Sequence, residues 1–148
     1  METDAITTLT NICRRLVLTP SPDILFISIK NQSAAHFPRQ RIYTGGFPLY
    51  SIKKMFNVST SRFGVGQLSN SLKTPLGLHR IAKKIGGGFP TGAIFKGREF
   101  TGYTWGGDPH APIAHRILWL DGLEPGHNRG RNVDSYSRYI YIHGVGNE

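Results

Sequence analysis

The sequence predicts a mostly β domain, and three observations carry that expectation. Glycine and proline are abundant, 18 and 9 residues, beside 11% aromatics, a composition that suits short strands joined by tight turns. Apolar residues fall in short or alternating runs bounded by Gly, Pro, Asn and Ser, which is the pattern of strands. Only the N-terminal stretch has helical apolar spacing. At 148 residues the chain fits one domain with a buried core. No apolar run approaches the roughly 18 residues of a membrane span.

Taken in order, Thr3 or Asp4 can cap an opening helix that runs to about Leu18, where Pro20 and Pro22 stop it. Ile6, Leu9, Ile12, Cys13, Leu16 and Val17 form its apolar stripe. Cys13 is the single cysteine, so there is no internal disulfide and no cysteine-rich metal site. Its place in that stripe reads as a small buried hydrophobe rather than a reactive thiol. Residues 1–6 carry neither a basic start nor an apolar core, so no secretory signal is visible.

Ile24 to Ile29 reads as a short buried strand and Asn31 to Pro38 as a loop. A second strand region runs from about Tyr50 to Thr60. Thr74-Pro-Leu-Gly77 is a rigid turn, with proline fixing one angle and glycine relaxing another. A third strand runs from Leu78 to Ile85, and Gly86 to Gly92 is a turn. That turn is not a phosphate loop, because no Lys-Ser/Thr follows at the required spacing.

Ala93 to Phe100 reads as one strand, and Thr101 to Pro112 as a polar connection. Ala114 to Leu120 alternates, with His115, Ile117 and Trp119 on one face and Arg116, Leu118 and Leu120 on the other. A long loop, Asp121 to Ser137, leads to a closing strand from Arg138 to His143. There Ile140 and Ile142 face one side and Tyr139, Tyr141 and His143 the other. Gly144 and Gly146 then break the strand, since glycine suits a sharp turn or a close-approaching ligand. A histidine displayed at a strand end beside aromatics is a candidate functional group.

The net charge is +9, which attracts anionic polymers such as nucleic acid or a cell wall. The bases are dispersed in pairs, Arg14-Arg15, Lys53-Lys54 and Lys83-Lys84, with no long run.

Three pieces together resemble the L,D-transpeptidase (YkuD-like) catalytic domain: Val58-Ser-Thr with Lys73-Thr-Pro-Leu-Gly77, the strand Ile117-Leu-Trp-Leu120, and Tyr139-Ile-Tyr-Ile-His-Gly144. The resemblance implies a β-sandwich-like fold of two packed sheets with one or two short helices. Residues 1–22 would be a helix and lead-in, and 23–148 the front part of the catalytic domain. It implies acyl transfer on peptidoglycan stem peptides in the periplasm or cell envelope, with no cofactor and no metal. A cysteine thiolate attacks a carbonyl, and an amine or water resolves the thioester.

His143 matches the family's first histidine, which lies beside the nucleophile, and Gly144 the glycine after it. Tyr141, Trp119 and Tyr139 are candidates for the substrate pocket. Thr74, Pro75 and Gly77 build a turn and touch no substrate. The family's Ser-His-Gly-Cys signature is missing from these residues, and Cys13 lacks the signature around it. The resemblance therefore implies that the signature follows further on in the reading frame and that this chain alone is inactive. Two alternatives are a non-catalytic peptidoglycan-binding module and, less favoured, a basic β-domain binding nucleic acid through tyrosines interleaved with Arg138.

Overall fold

The computed structural model describes residues 2–44 and 47–146. Met1, Asn147 and Glu148, parts of the opening and closing stretches read above, lie outside the described residues. The chain divides into two compact units, Met1–Gly64 and Val65–Glu148. Among the described residues there are nine strands in two sheets and one α-helix. The mostly β expectation holds.

In the first unit, α1 (Glu2–Leu16) buries Cys13 and half-buries Ile6, Leu9, Ile12 and Leu16, as the apolar spacing predicts. Thr3 and Asp4 lie inside the helix and do not precede it, so neither is its N-cap. The helix ends before Leu18. Val17 turns left-handed at φ 54°, and the N–H groups of Leu18 and Val17 reach the carbonyls of Cys13 (2.8 Å) and Arg14 (3.3 Å). These two bonds are those of a Schellman ending, where glycine is the usual residue. Val17 is consequently expelled from the apolar stripe and is 91% exposed.

β1 (Asp23–Ser28), β2 (Ser33–Thr44), β3 (Phe47–Tyr50) and β4 (Lys54–Asn57) form one antiparallel sheet with β2 at its centre. Asn31–Pro38 is thus largely strand where a loop was expected. Ala34, Ala35 and Phe37 are buried there, and Phe26 pairs with Ala35 across the ladder. Two alanines give a weak apolar signal, so pairing decides the conformation. Val58–Thr60, expected to end a strand, is instead a loop. The Gln32 amide pins it, donating to Thr60 Oγ1 and accepting from the Thr60 N–H, both at 2.8 Å.

In the second unit, β5 (His79–Ile85) and β9 (Tyr141–Gly144) pair antiparallel with the long strand β8 (Ala114–Gly122). Ala93–Phe100 is not one strand but most of a hairpin, β6 (Ala93–Lys96) and β7 (Glu99–Tyr103). Gly97 and Arg98 both have positive φ, 58° and 74°, as a two-residue hairpin turn requires. Ala93, Phe95 and Ile117 form the core, with Ile85, Phe89, Tyr103, Ile113 and Tyr141 packed on it.

β8 departs from its predicted alternation at its start. The ladder register shifts between Ala114 and Ile117, and His115 has φ 68°, the mark of a bulge. His115 therefore leaves the face of Ile117 and Trp119, and Ala114 is buried in its place. β9 also starts later than expected. Tyr139 sits in the preceding turn at φ 57° and is 55% exposed.

Candidate active site

The site is built on the β8–β9 pair. Ile117 stands opposite His143 and Trp119 opposite Tyr141. Side chains two apart on a strand share a face, so Tyr141 and His143 project from the same side of β9. The His143 ring is exposed, and its Nδ1 lies 2.9 Å from the carbonyl oxygen of Gly144. A carbonyl only accepts, so Nδ1 carries the proton and Nε2 keeps its lone pair for an incoming donor.

Glycine is needed at positions 144 and 146 for space rather than for unusual backbone angles. A Cβ on Gly144 would run into the His115 ring and the Ala114 carbonyl, and one on Gly146 into the Pro109 carbonyl. The close approach is by the protein's own backbone. His115 fixes this corner from below: its Nδ1 accepts from the Gly92 N–H at 2.8 Å and its Nε2 donates to the Val145 carbonyl at 3.1 Å. Sequence reading placed His115 on a strand face. Only the bulge brings it to the chain that follows His143.

The structure brings the three candidate aromatics together. Trp119 lies 5.6 Å from Tyr139 and 5.5 Å from Tyr141, ring centre to ring centre, and stacks on Tyr136 at 4.2 Å. The Trp119 indole N–H donates to the Tyr136 carbonyl at 3.0 Å. Trp119 is only 8% exposed, so its edge and its neighbours form the accessible surface. Tyr136, Arg98 and Lys83 also belong to this cluster and were missed. Arg98 was hidden inside a stretch read as one strand, although Lys-Gly-Arg-Glu is a recognisable turn signal.

The Thr74–Gly77 turn is anchored by the loop that follows β8. Asn128, fully buried, donates to the carbonyls of Leu76 and Leu78 (both 3.1 Å) and accepts from the Glu124 N–H (2.9 Å). Glu124 accepts from the Leu78 N–H at 2.7 Å. Gly77, at φ 97°, has no room for a Cβ against Glu124, Asn128 and His127.

His79 follows the same turn. Its Nδ1 donates to the Gly77 carbonyl (3.0 Å) and its Nε2 accepts from the buried Ser135 hydroxyl (2.8 Å). Burial pushes its pKa below the ordinary value, against the pull of Glu124 and Asp121. A folded pKa below the unfolded one means the unfolded chain binds more protons, so stability rises with pH. The His79 contribution is then full above about pH 6.5 and is lost as pH falls below it. Urea unfolding midpoints at neutral and mildly acidic pH should show that loss, and His79→Gln should flatten the decline. An unchanged slope in the variant would contradict it.

Cys13, the one thiol, lies in the first unit, buried in the α1 stripe, and burial raises its pKa. A raised thiol pKa leaves little of the reactive thiolate near neutral pH. Among the described residues no group of three or more His, Cys, Asp or Glu side chains is arranged to hold a metal ion, and no helix is long and apolar enough to cross a membrane.

Comparison with protein families finds the L,D-transpeptidase catalytic domain (YkuD) over residues 22–148. The chain belongs to the L,D-transpeptidase family. No curated protein and no solved structure matches it. In this L,D-transpeptidase family member, the matched span takes in all three pieces read from the sequence, Val58–Thr60 with Lys73–Gly77, Ile117–Leu120 and Tyr139–Gly144.

Proposed function

We propose that this chain supplies the stem-peptide-binding face of an L,D-transpeptidase of the bacterial cell envelope and does not itself carry out acyl transfer. The observation behind the reading is an exposed His143 on β9, two residues along from Tyr141 of the Trp119–Tyr141–Tyr139 cluster, in a chain whose one thiol is buried.

In this reading residues 1–22 are a lead-in to the catalytic domain of residues 23–148. Tyr141, Trp119 and Tyr139 line the peptide site. His143, with its Nε2 lone pair free, orders the reacting group, and Gly144 lets the following backbone close on His115. Acyl transfer needs a thiolate beside a base and donors aimed at the oxyanion. His143 provides a hydrogen-bonding partner for such a thiol but no nucleophile. In this reading the chain acts as a peptidoglycan-binding module.

The nucleic-acid reading loses its central residue. Arg138 donates to the carbonyls of Gly66 (3.2 Å), Gln67 (2.9 Å) and Lys73 (2.7 Å), so its guanidinium is engaged in holding a loop.

Sedimentation with purified peptidoglycan sacculi tests the proposal. The chain should pellet with sacculi at low salt and progressively less as salt screens its +9 charge. Micromolar binding to nucleic acid at physiological salt, with no affinity for sacculi, would overturn it.

A further inference from the structure

One face of the second unit carries two cations on an aromatic floor. Lys83 stands directly opposite Trp119 in the β5–β8 ladder, and Tyr141 opposite Trp119 in the β8–β9 ladder, so the three form a row across three strands. Arg98 reaches the same row from the tip of the β6–β7 hairpin. Its guanidinium lies 5.2 Å from the centre of the Trp119 ring and 4.9 Å from that of Tyr139, and it donates to the Tyr141 hydroxyl at 3.2 Å. The Lys83 ammonium lies 5.3 Å from the Trp119 ring centre and 5.8 Å from that of Tyr136. Among the described residues neither cation is paired with a carboxylate.

Two like charges gathered near one ring repel, and among the described residues no carboxylate is in ion-pair range of either. The rings relieve part of that repulsion, since an aromatic face attracts a cation. The guanidinium carries its N–H donors in a planar fork that fits a carboxylate. Only one of the five donors is used by Tyr141. The ammonium adds a second, freely rotating set of donors beside the same ring.

The geometry points to a carboxylate-binding site formed by Arg98 and Lys83, seated on Trp119 and its flanking tyrosines. The site shares the face of Tyr141 with His143, one pleat along β9, so a ligand anchored there by a free carboxylate extends toward the His143 ring. That the ligand is a stem peptide rests on the function proposed above; that it carries a carboxylate does not.

Calorimetric titration separates the two claims. The probes are a stem tetrapeptide with free carboxylates, the same peptide fully amidated, and an unrelated tetrapeptide with the same number of carboxylates. The chain should bind the free-acid stem peptide about tenfold more tightly than the amidated form, a difference of the size that charge-assisted bidentate bonds supply. Arg98→Gln should abolish that preference, Arg98→Lys should restore part of it, and Lys83→Gln should reduce it. Melting temperatures of the variants near that of the parent chain show that the hairpin still folds. Equal binding of the acid and the amide, or a preference that survives Arg98→Gln, overturns the site. Failure of all three peptides to bind overturns both claims. Equally tight binding of the unrelated acid, lost in Arg98→Gln, keeps the carboxylate site and removes the stem-peptide reading.

Discussion

Replacing Asn128 with Ala should cost about 2–4 kcal/mol of folding stability, the penalty of stranding buried polar groups. Asn128 closes three backbone groups at once: the carbonyls of Leu76 and Leu78 and the N–H of Glu124. The two carbonyls keep second partners, the Gln67 amide at 3.2 Å and the Leu123 N–H at 3.0 Å. Alanine also leaves a void against Gly122, which packs on the Asn128 backbone and side chain. Domains of this size are stable by roughly 5–15 kcal/mol in total, so the loss is a large fraction.

Gln67 provides the control. It also bonds Leu76, but through solvent-exposed bonds, donating at 3.2 Å and accepting at 3.3 Å. Water can replace those bonds, so Gln67→Ala should cost less than about 1 kcal/mol. Urea unfolding of both variants checks the contrast. Equal losses would mean that the buried asparagine is not what holds the Thr74–Gly77 turn.

Asn128 also shows where sequence reading runs out. It sits in a stretch read only as a long loop, and no local pattern marks an asparagine that bridges to a turn some fifty positions earlier. The strands announced by apolar runs or alternation, β1, β5 and β8, were legible to within one or two residues. β2 was not, because Ala34 and Ala35 carry little apolar signal until Phe26 and Phe56 pair alongside them.

The candidate site was legible in part for the same reason. Trp119, Tyr141 and His143 follow from strand alternation, which is local. Arg98, Lys83, Tyr136 and His115 join the site through a hairpin tip, a ladder register, a loop stack and a bulge. Each of those depends on which strand lies next to which. The two glycines after His143 were noticed as a sharp turn or the close approach of a ligand, and the structure shows a close approach by the protein's own His115 ring and backbone.

In the function proposed above, the chain holds the binding face of an L,D-transpeptidase and no working nucleophile. Carbapenems are the β-lactam class with which the resembled family reacts, and a reactive thiol opens the lactam and gains its mass. Cys13 is 2% exposed and its thiol pKa is raised by burial, so little thiolate forms and little ligand reaches it. Intact-protein mass spectrometry after prolonged carbapenem exposure, on the chain and on Cys13→Ser, is the most direct measurement. The account predicts an unchanged mass for both. An adduct on the chain that vanishes in Cys13→Ser would make Cys13 the working nucleophile and contradict the account.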